Sequence, residues 1–368
     1  MSEMTKTPQE IEPLWSAYIH AKAAAKGIPL SGNFELTPRC NFHCKMCYIH
    51  QQEDISRELS AAEWLKIGHT AVEAGMVFLL LTGGEPLIRK DFREIYTGLK
   101  KMGLLISINT NGALLDDDWI EFFRNDPPLR FNISLYGGCE STYRALCGRE
   151  GYERVTRNIR ALREAGMQVK LNASITPDNA PDIPAIYEFG KNAGIPVKGT
   201  TYMCPPSRIN GGLFGESPHR FSAEDAAYHA LRCREQYLSP EALANGADTP
   251  ANIDDCSDGQ GEKMRCRAGK TSFWITWDGR MLPCGMFPIE GYSLSTLSFD
   301  EAWKQVRHDT AAITLPAACS SCSYKDQCPA CAAACLCETG NTNAKPEYIC
   351  SMTKTLARLT AEKYPKKE

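Results

Sequence analysis

The sequence predicts an α/β fold: a partial (β/α)6 TIM-like barrel followed by a cysteine-rich region with a β-hairpin and short helices. Three observations lead to this prediction. Six short apolar strands alternate with helical patterns between residues 33 and 235, as in a parallel sheet covered by helices. Six units are fewer than the eight of a closed barrel. Ten of the 17 cysteines then follow between Cys256 and Cys350.

The composition is that of a globular protein with a real core. The chain has 368 residues, 43% of them hydrophobic, and a formal net charge of −3. This balance gives no electrostatic case for a nucleic-acid or membrane partner. No run approaches the ~20 apolar residues of a transmembrane helix. The polar N-terminus has no apolar signal segment, so we expect a cytoplasmic protein.

The barrel is predicted over residues 32–235, after an N-terminal extension at 1–31 that contains a helix over 9–26. Each strand of the barrel is a short apolar run followed by turn residues. The predicted strands are 33–37, 77–82, 104–110, 130–136, 169–175 and 197–203.

The segments between these strands carry apolar residues at helical spacing or an N-capping residue. Ser60 to Glu63 is a capping-box sequence that opens the first of these helices. The other helices are predicted to begin near Phe92, Asp116, Val155, Ile183 and Ser222.

The pattern changes after the barrel. Residues 236–262 are rich in Gly, Pro, Asp and Asn and are predicted to bridge two domains. The second domain is predicted over 263–368, and it opens with a β-hairpin that turns at Asp278–Gly279. Ser298 caps a short helix, and a final helix begins at about Ser351.

Three cysteines follow the first strand as a CxxxCxxC motif: Cys40, Cys44 and Cys47. They lie at the carboxyl end of the strand, where such folds place their function. Three thiolates in one loop can hold three corners of a four-iron cluster and leave one iron open. The same spacing also allows a zinc loop with His43 or His50 as the fourth ligand.

The second strand ends in a GGEP motif, Gly83 to Pro86. The two glycines permit close approach of the backbone to another group. Glu85 offers a carboxylate for an ammonium group, and Pro86 prevents further strand pairing. Alone this motif can be a turn, but one strand after the cysteine triad it is far more specific.

With these two motifs, residues 32–235 resemble the radical S-adenosylmethionine (SAM) superfamily. The resemblance implies that the three cysteines hold a [4Fe–4S] cluster whose open iron chelates SAM. It also implies that Gly83, Gly84 and Glu85 hold the SAM amino group. The reduced cluster would cleave SAM to a 5′-deoxyadenosyl radical that abstracts a hydrogen from the substrate, since the cofactor carries the difficult chemistry.

The adenine contact departs from the family pattern. Met46 stands before the third cysteine, where the family often has an aromatic residue, and Tyr48 follows that cysteine. Four polar residues at or beyond strand ends are candidates for contact with the ribose or the carboxylate of SAM, and each is equally a candidate turn cap or surface group: Asn109, Asn111, Ser134 and Arg144.

The later cysteines resemble the seven-cysteine pattern of the SPASM domain. The resemblance implies one auxiliary [4Fe–4S] cluster on Cys256, Cys266, Cys284 and Cys331. It implies a second cluster on Cys319, Cys322, Cys328 and Cys350. Two structural zinc sites would also suit this region.

Some cysteines do not follow the SPASM pattern. Only two residues, not three, separate Cys328 from Cys331, so Cys335 is an alternative ligand. Cys337 has no assigned partner, and Cys204 is placed either toward the substrate or in the core. The remaining three are expected to be ordinary residues: Cys139, Cys147 and Cys233.

The resemblance favours an enzyme that modifies a peptide or protein, by a thioether or other crosslink or by epimerisation in a ribosomally made peptide. Sulfatase maturation ranks lower, because Gly285 stands where those enzymes carry an aspartate after the cysteine. Asp278 or Tyr292 would then have to supply a base. A small-molecule or haem-pathway enzyme and a non-catalytic zinc or iron–sulfur scaffold remain alternatives.

Three kinds of partner follow from this interpretation. They are a peptide or protein substrate, an electron donor such as flavodoxin or ferredoxin, and a separate protein that recognises a leader peptide. Only some thirty residues precede the barrel, too few for a recognition domain. Recognition of a leader would therefore need a partner chain, the barrel edge or the N-terminal helix.

Overall fold

The computed structural model describes residues 8–48, 57–206, 215, 217, 219–246, 264 and 266–366. Cys256 and His50 lie outside these residues. The core of the molecule is one sheet of nine strands in the order β6-β5-β4-β3-β2-β1-β7-β8-β9. The strands are β1 (Ser31–Glu35), β2 (Phe78–Thr82), β3 (Leu105–Thr110), β4 (Arg130–Ser134), β5 (Val169–Ser174), β6 (Val197–Thr200), β7 (Ser272–Ile275), β8 (Arg280–Leu282) and β9 (Tyr292–Ser293).

The first six strands are parallel and run in sequence order from β1 to β6. The sheet does not close on itself, so the predicted partial barrel is confirmed. On the other side of β1 lies β7, also parallel to it, followed by the antiparallel β8 and β9. The C-terminal hairpin therefore extends the sheet of the barrel.

Thirteen α-helices accompany the strands in the described residues, and most of those between strands cover one face of the sheet. They are α1 (Pro8–Lys26), α2 (Ala61–Glu73), α3 (Phe92–Lys101), α4 (Asp117–Asn125), α5 (Glu140–Cys147), α6 (Tyr152–Glu164), α7 (Ile183–Ala193), α8 (Ala223–Arg234), α9 (Pro240–Ala244), α10 (Phe299–Ala312), α11 (Ala317–Ser320), α12 (Ala332–Thr339) and α13 (Glu347–Lys363).

The two faces of the parallel sheet differ because side chains alternate along a strand. The face under the helices is apolar and fully buried, with Phe34, Ile108, Phe131 and Leu171 all at 0% exposure. The opposite face, here called the inner face, is mostly polar and partly open to solvent. Its residues on β3 to β6 include Ser107, Asn109, Arg130, Asn132, Ser134, Lys170, Asn172, Ser174, Lys198 and Thr200. An open, polar inner face is suited to bind a ligand.

Aromatic packing joins the barrel to the C-terminal region. The Phe34 ring lies 5.0 Å from Trp64 and 6.5 Å from Phe273, measured between ring centroids. Trp303 on α10 donates a hydrogen bond of 2.8 Å to the carbonyl of Gly27. The core is therefore continuous across β1 and β7.

Helix α5 was not predicted from the sequence. Its eight residues are largely polar, but Tyr143, Leu146 and Cys147 are buried. The helix ends at Gly148, whose φ of 71° suits glycine. Burial in the tertiary structure therefore stabilises a helix that the sequence pattern did not predict.

Other boundaries also differ from the predictions. Strands β4 and β6 end at Ser134 and Thr200, two and three residues early, because the chain then leaves the sheet. Helix α9 lies inside the predicted bridge, where Ser239 caps it. The last helix begins at Glu347 directly after Pro346, and α10 has 14 residues and is not short. Both predicted capping boxes, at Ser60 and Ser298, are confirmed.

Among the described residues, no helix combines the length and the apolar character that crossing a membrane requires.

We predict that Phe34→Ala lowers the free energy of unfolding by about 3–5 kcal/mol, because it empties a fully buried site between two domains. Urea denaturation of the anaerobically purified protein measures this. Leu129→Ala, at a residue 50% exposed, is the control and should cost about 0.5 kcal/mol or less. Equal effects of the two substitutions would contradict the proposed role of Phe34.

Candidate active site

The cysteine triad lies in the loop after β1, and helix α5 supports this loop. His43 and Lys45 donate backbone hydrogen bonds of 2.9 and 3.0 Å to the carbonyls of Cys147 and Leu146. The thiol of Cys44 shares a hydrogen bond with the buried thiol of Cys147, and this contact, with burial, raises the pKa of Cys44. Cys147 was predicted to be an ordinary residue, but it supports the triad.

The environment of Cys40 suits a metal thiolate. Its sulfur accepts a hydrogen bond of 3.4 Å from the N–H of Phe42, and the side-chain amide of Asn111 donates to it over 3.7 Å. Burial raises the pKa of Cys40 to about 12, and the nearby thiols of Cys44 and Cys47 add to this. Three soft sulfur ligands, one of which accepts N–H···S bonds, are a donor set that fits an iron–sulfur cluster.

The GGEP loop fixes the start of the cysteine loop. The N–H groups of Gly84 and Glu85 donate to the carbonyls of Thr37 and Arg39 over 2.7 and 2.8 Å. A Cβ on Gly84 would lie 2.3 Å from the Arg39 oxygen, and one on Gly83 would lie 2.5 Å from the Thr37 oxygen. Gly83 also has a φ of 152°. Both positions therefore require glycine, because backbone meets backbone there.

The carboxylate of Glu85 is fully buried and joins the ends of β2 and β3. It accepts hydrogen bonds from the N–H of Asn111 (2.7 Å), the N–H of Leu87 (3.1 Å) and the hydroxyl of Thr110 (2.9 Å). Burial raises the pKa of Glu85 to about 7, against the lowering effect of these bonds. These contacts hold three parts of the site together. A contact of Glu85 with SAM stays a prediction.

The other predicted SAM-binding residues lie in different parts of the site. Asn109 and Ser134 lie on the inner face, and Asn109 accepts a hydrogen bond of 2.9 Å from Asn132. Asn111 is tied to the cysteine loop through Asn41, over 2.7 Å. Arg144 lies on α5 with its side chain 65% exposed and pairs with Glu150. Tyr48 is half-buried after Cys47.

The first auxiliary group surrounds Cys284. Burial raises the pKa of this thiol to about 12, and the thiols of Cys331, Cys266 and Cys337 are close enough to raise it further. The sulfurs of Cys284 and Cys331 each accept a backbone N–H over 3.4 Å. The structure therefore gathers three of the predicted ligands, and it adds Cys337.

The second auxiliary group contains Cys319, Cys328 and Cys350: burial raises the pKa of Cys350, and the nearby thiols of Cys328 and Cys319 add to this. Thr353 donates to the sulfur of Cys328 over 3.6 Å. Cys335 belongs with this group, because its pKa is raised to about 12 by burial and by the thiols of Cys331, Cys319, Cys328 and Cys350. Cys331 lies between the two groups, since it is near Cys328 and Cys335 as well as Cys337. The described residues show no set of three Cys, His, Asp or Glu side chains gathered to hold a single metal ion.

Sequence reasoning missed two further contacts. The thiol of Cys204, at the end of the barrel, is hydrogen-bonded to Cys337 on α12. Trp274 on β7 donates a hydrogen bond of 2.7 Å to the buried carboxylate of Glu35. A Cβ on Gly285 would lie 2.7 Å from the Trp274 ring. No sequence pattern signals these pairs, because their members are distant along the chain.

Comparison with known proteins agrees with this geometry. The profile of the radical SAM superfamily matches residues 34–190, which span the cysteine triad, GGEP and strands β2 to β5. These residues belong to the radical SAM superfamily. Enzymes of this family use a [4Fe–4S] cluster and SAM. The residues of the triad fit that cluster, so the predicted cofactors are confirmed at the level of the family.

Curated relatives match the chain over different lengths. An AdoMet-dependent heme synthase of Methanosarcina barkeri is 24% identical over 86% of this chain and 94% of its own. A probable GTP 3′,8-cyclase of Saccharolobus islandicus is 32% identical, but over 44% of this chain and 52% of its own. The second match therefore spans less than half of this chain.

Solved radical SAM structures share the fold over nearly the whole chain. The Streptococcus suis SuiB structure has a TM-score of 0.67 at 17% identity and covers 94% of this chain and 84% of its own. The anSMEcpe structure with AdoMet and the Cp18Cys peptide has a TM-score of 0.70 at 16% identity, with 91% and 97% covered. The shared fold includes the cysteine-rich region. The radical SAM resemblance is confirmed for residues 34–190, and the shared fold supports the predicted cysteine-rich C-terminal region.

We predict that Gly84→Ala disturbs the cysteine loop, because its Cβ would press on the Arg39 carbonyl. The expected cost is about 1–3 kcal/mol of unfolding free energy, together with loss of iron from the triad. Iron content after anaerobic reconstitution is the measurement. Gly103→Ala is the control, since its Cβ would meet no atom within 4 Å and its φ is +84°. If both variants retain iron equally, the close contact at Gly84 does not support the triad.

Proposed function

We propose that this radical SAM enzyme abstracts a hydrogen from a peptide substrate, as a maturase of ribosomally made peptides. The cluster, when bound, supplies the electron that cleaves SAM. Cys40, Cys44 and Cys47 would hold it, and Gly83, Gly84 and Glu85 would lie beside the SAM amino group. The observation that carries the proposal is the triad fixed to GGEP at the end of a polar, open sheet face.

One observation supports a peptide substrate, and a second disfavours sulfatase maturation. Solved neighbours of the same fold include SuiB bound to the precursor peptide SuiA and anSMEcpe bound to the Cp18Cys peptide. Gly285 is packed against Trp274, so a side chain at this position would need the indole to move. The position after Cys284 therefore has no room for a carboxylate in the present packing.

A second candidate is a small carboxylate-bearing substrate. The heme synthases of Methanosarcina barkeri and Nitratidesulfovibrio vulgaris are 24% identical to this chain and align over 86% of it. At this coverage the likeness must extend beyond residue 235, the predicted end of the barrel. Direct binding measurements distinguish a porphyrin substrate from a peptide substrate.

The proposal for the peptide substrate also includes two partners: a flavodoxin or ferredoxin as electron donor, and a separate leader-binding protein.

We predict that the wild-type protein, reconstituted anaerobically and reduced, forms 5′-deoxyadenosine from SAM, and that the variant with Ala at Cys40, Cys44 and Cys47 does not. The reason is that these are the proposed sole protein ligands of the SAM-binding cluster. Chromatography of the products and iron counting are the measurements. The matched control is Cys139→Ala, an exposed cysteine near the same loop, which should keep both. Bound zinc with no 5′-deoxyadenosine in the wild type would favour the scaffold.

The auxiliary ligands give a separate prediction. Ala at Cys319, Cys322 and Cys328 should remove about four irons and lower stability while some SAM cleavage remains.

In the first group we expect the Cys337→Ala variant to lose iron, because this thiol lies beside Cys284 and Cys331. Cys256→Ala tests the ligand that the family resemblance implies, and Cys233→Ala, at a buried thiol near Tyr187, is the control. Iron loss in the Cys256 variant with none in the Cys337 variant would contradict the assignment from proximity.

A further inference from the structure

Three cations lie together on the inner face of the sheet, on neighbouring strands. Arg130 is the first residue of β4, Lys170 the second of β5 and Lys198 the second of β6. Phe131, Val169 and Leu171, which alternate with the first two, are buried under the helices. The three cations therefore point away from the helices, into the open side of the partial barrel.

The strand register brings the three residues close. Asn132 is the partner of Lys170, and Asn172 is the partner of Lys198. Arg130 and Lys198 thus lie on the two strands next to Lys170, each offset from it by two residues. Either offset places the Cα atoms about 8 Å from the Cα of Lys170. Long side chains span such a distance. The positive charges of Lys198 and Arg130, after burial, lower the pKa of the half-buried Lys170.

These charges are not neutralised within the described chain. No carboxylate there forms an ion pair or hydrogen bond with Arg130, Lys170 or Lys198. Arg130 is held by the amide oxygen of Asn132 at 3.0 Å, and Asn132 is held in turn by Asn109. The neighbours of the three cations on this face are amides and hydroxyls. Lys170 is half-buried, whereas Arg130 and Lys198 are exposed, so the three cations form a positive patch that is accessible to an anion.

We propose that Arg130, Lys170 and Lys198 bind carboxylate groups of the substrate. This deepens the proposed function, because it names the chemistry of the substrate that the site accepts. Ser174, at the carboxyl end of β5, is four positions after Lys170, which is about 13 Å along the strand. A substrate that reaches both the cations and the SAM end must therefore be extended, such as an acidic peptide segment or a large planar polycarboxylate.

The test measures binding by the oxidised, cluster-loaded protein, with no reduction and at about 0.15 M salt so that weak surface attraction is screened. The probes are a fluorescein-labelled hexaglutamate, the matching hexaglutamine, and a porphyrin tetracarboxylate followed by its own fluorescence. We expect at least one carboxylate probe to bind and hexaglutamine not to bind. Which carboxylate probe binds distinguishes a peptide substrate from a small molecule.

Single substitutions then locate the site. Lys170→Gln and Arg130→Gln should each weaken binding about tenfold or more, because each removes a charge-assisted hydrogen bond, while Lys170→Arg should retain most of it. The matched control is Lys191→Gln, the same change on the exposed part of helix α7, which should leave binding unchanged. Circular dichroism and iron content confirm that each variant is folded and loaded.

Two outcomes would overturn the inference: a wild-type protein that binds neither carboxylate probe, or glutamine variants that bind as tightly as the Lys191 control. Both are distinct from failure of the proposed function. That failure would appear as a reduced wild-type protein that forms no 5′-deoxyadenosine, in an assay that needs no substrate.

Discussion

The site depends on the close approach of two backbone segments, the start of the cysteine loop and the GGEP loop. Two hydrogen bonds of 2.7 and 2.8 Å join them, from Gly84 and Glu85 to Thr37 and Arg39. Only residues without a Cβ allow this distance at Gly83 and Gly84. The GGEP loop after β2 therefore fixes the path of the backbone between β1 and Cys40. The arrangement of the three cysteines thus depends on the pairing of β1 with β2.

Glu85 extends this connection to the third strand. Its buried carboxylate accepts hydrogen bonds from Thr110 and Asn111, and the side chain of Asn111 reaches Asn41 and the sulfur of Cys40. Three strand ends thus meet at one buried carboxylate. A buried acid held by several donors is costly to disturb, since removing it leaves those donors unsatisfied. Glu85 therefore has a structural role in the site that does not depend on the proposed contact with SAM.

The two regions of the chain form one sheet, and this affects the active site. Because β7 pairs with β1, Trp274 reaches the buried Glu35 on the first strand and covers Gly285. The hydrogen bond between Cys204 and Cys337 brings the end of the barrel next to the first auxiliary group.

The sequence alone determined the parallel α/β fold, the triad, GGEP and the capping boxes, because each depends on residues close together along the chain. Helix α5 could not be predicted, since burial against the cysteine loop and not local pattern stabilises it. The support of Cys44 by Cys147, the position of Cys331 between the two auxiliary groups, and the clustering of Arg130, Lys170 and Lys198 were decided only by the tertiary structure. Strand register and helix packing bring these residues together across long stretches of chain, and no local spacing records such contacts.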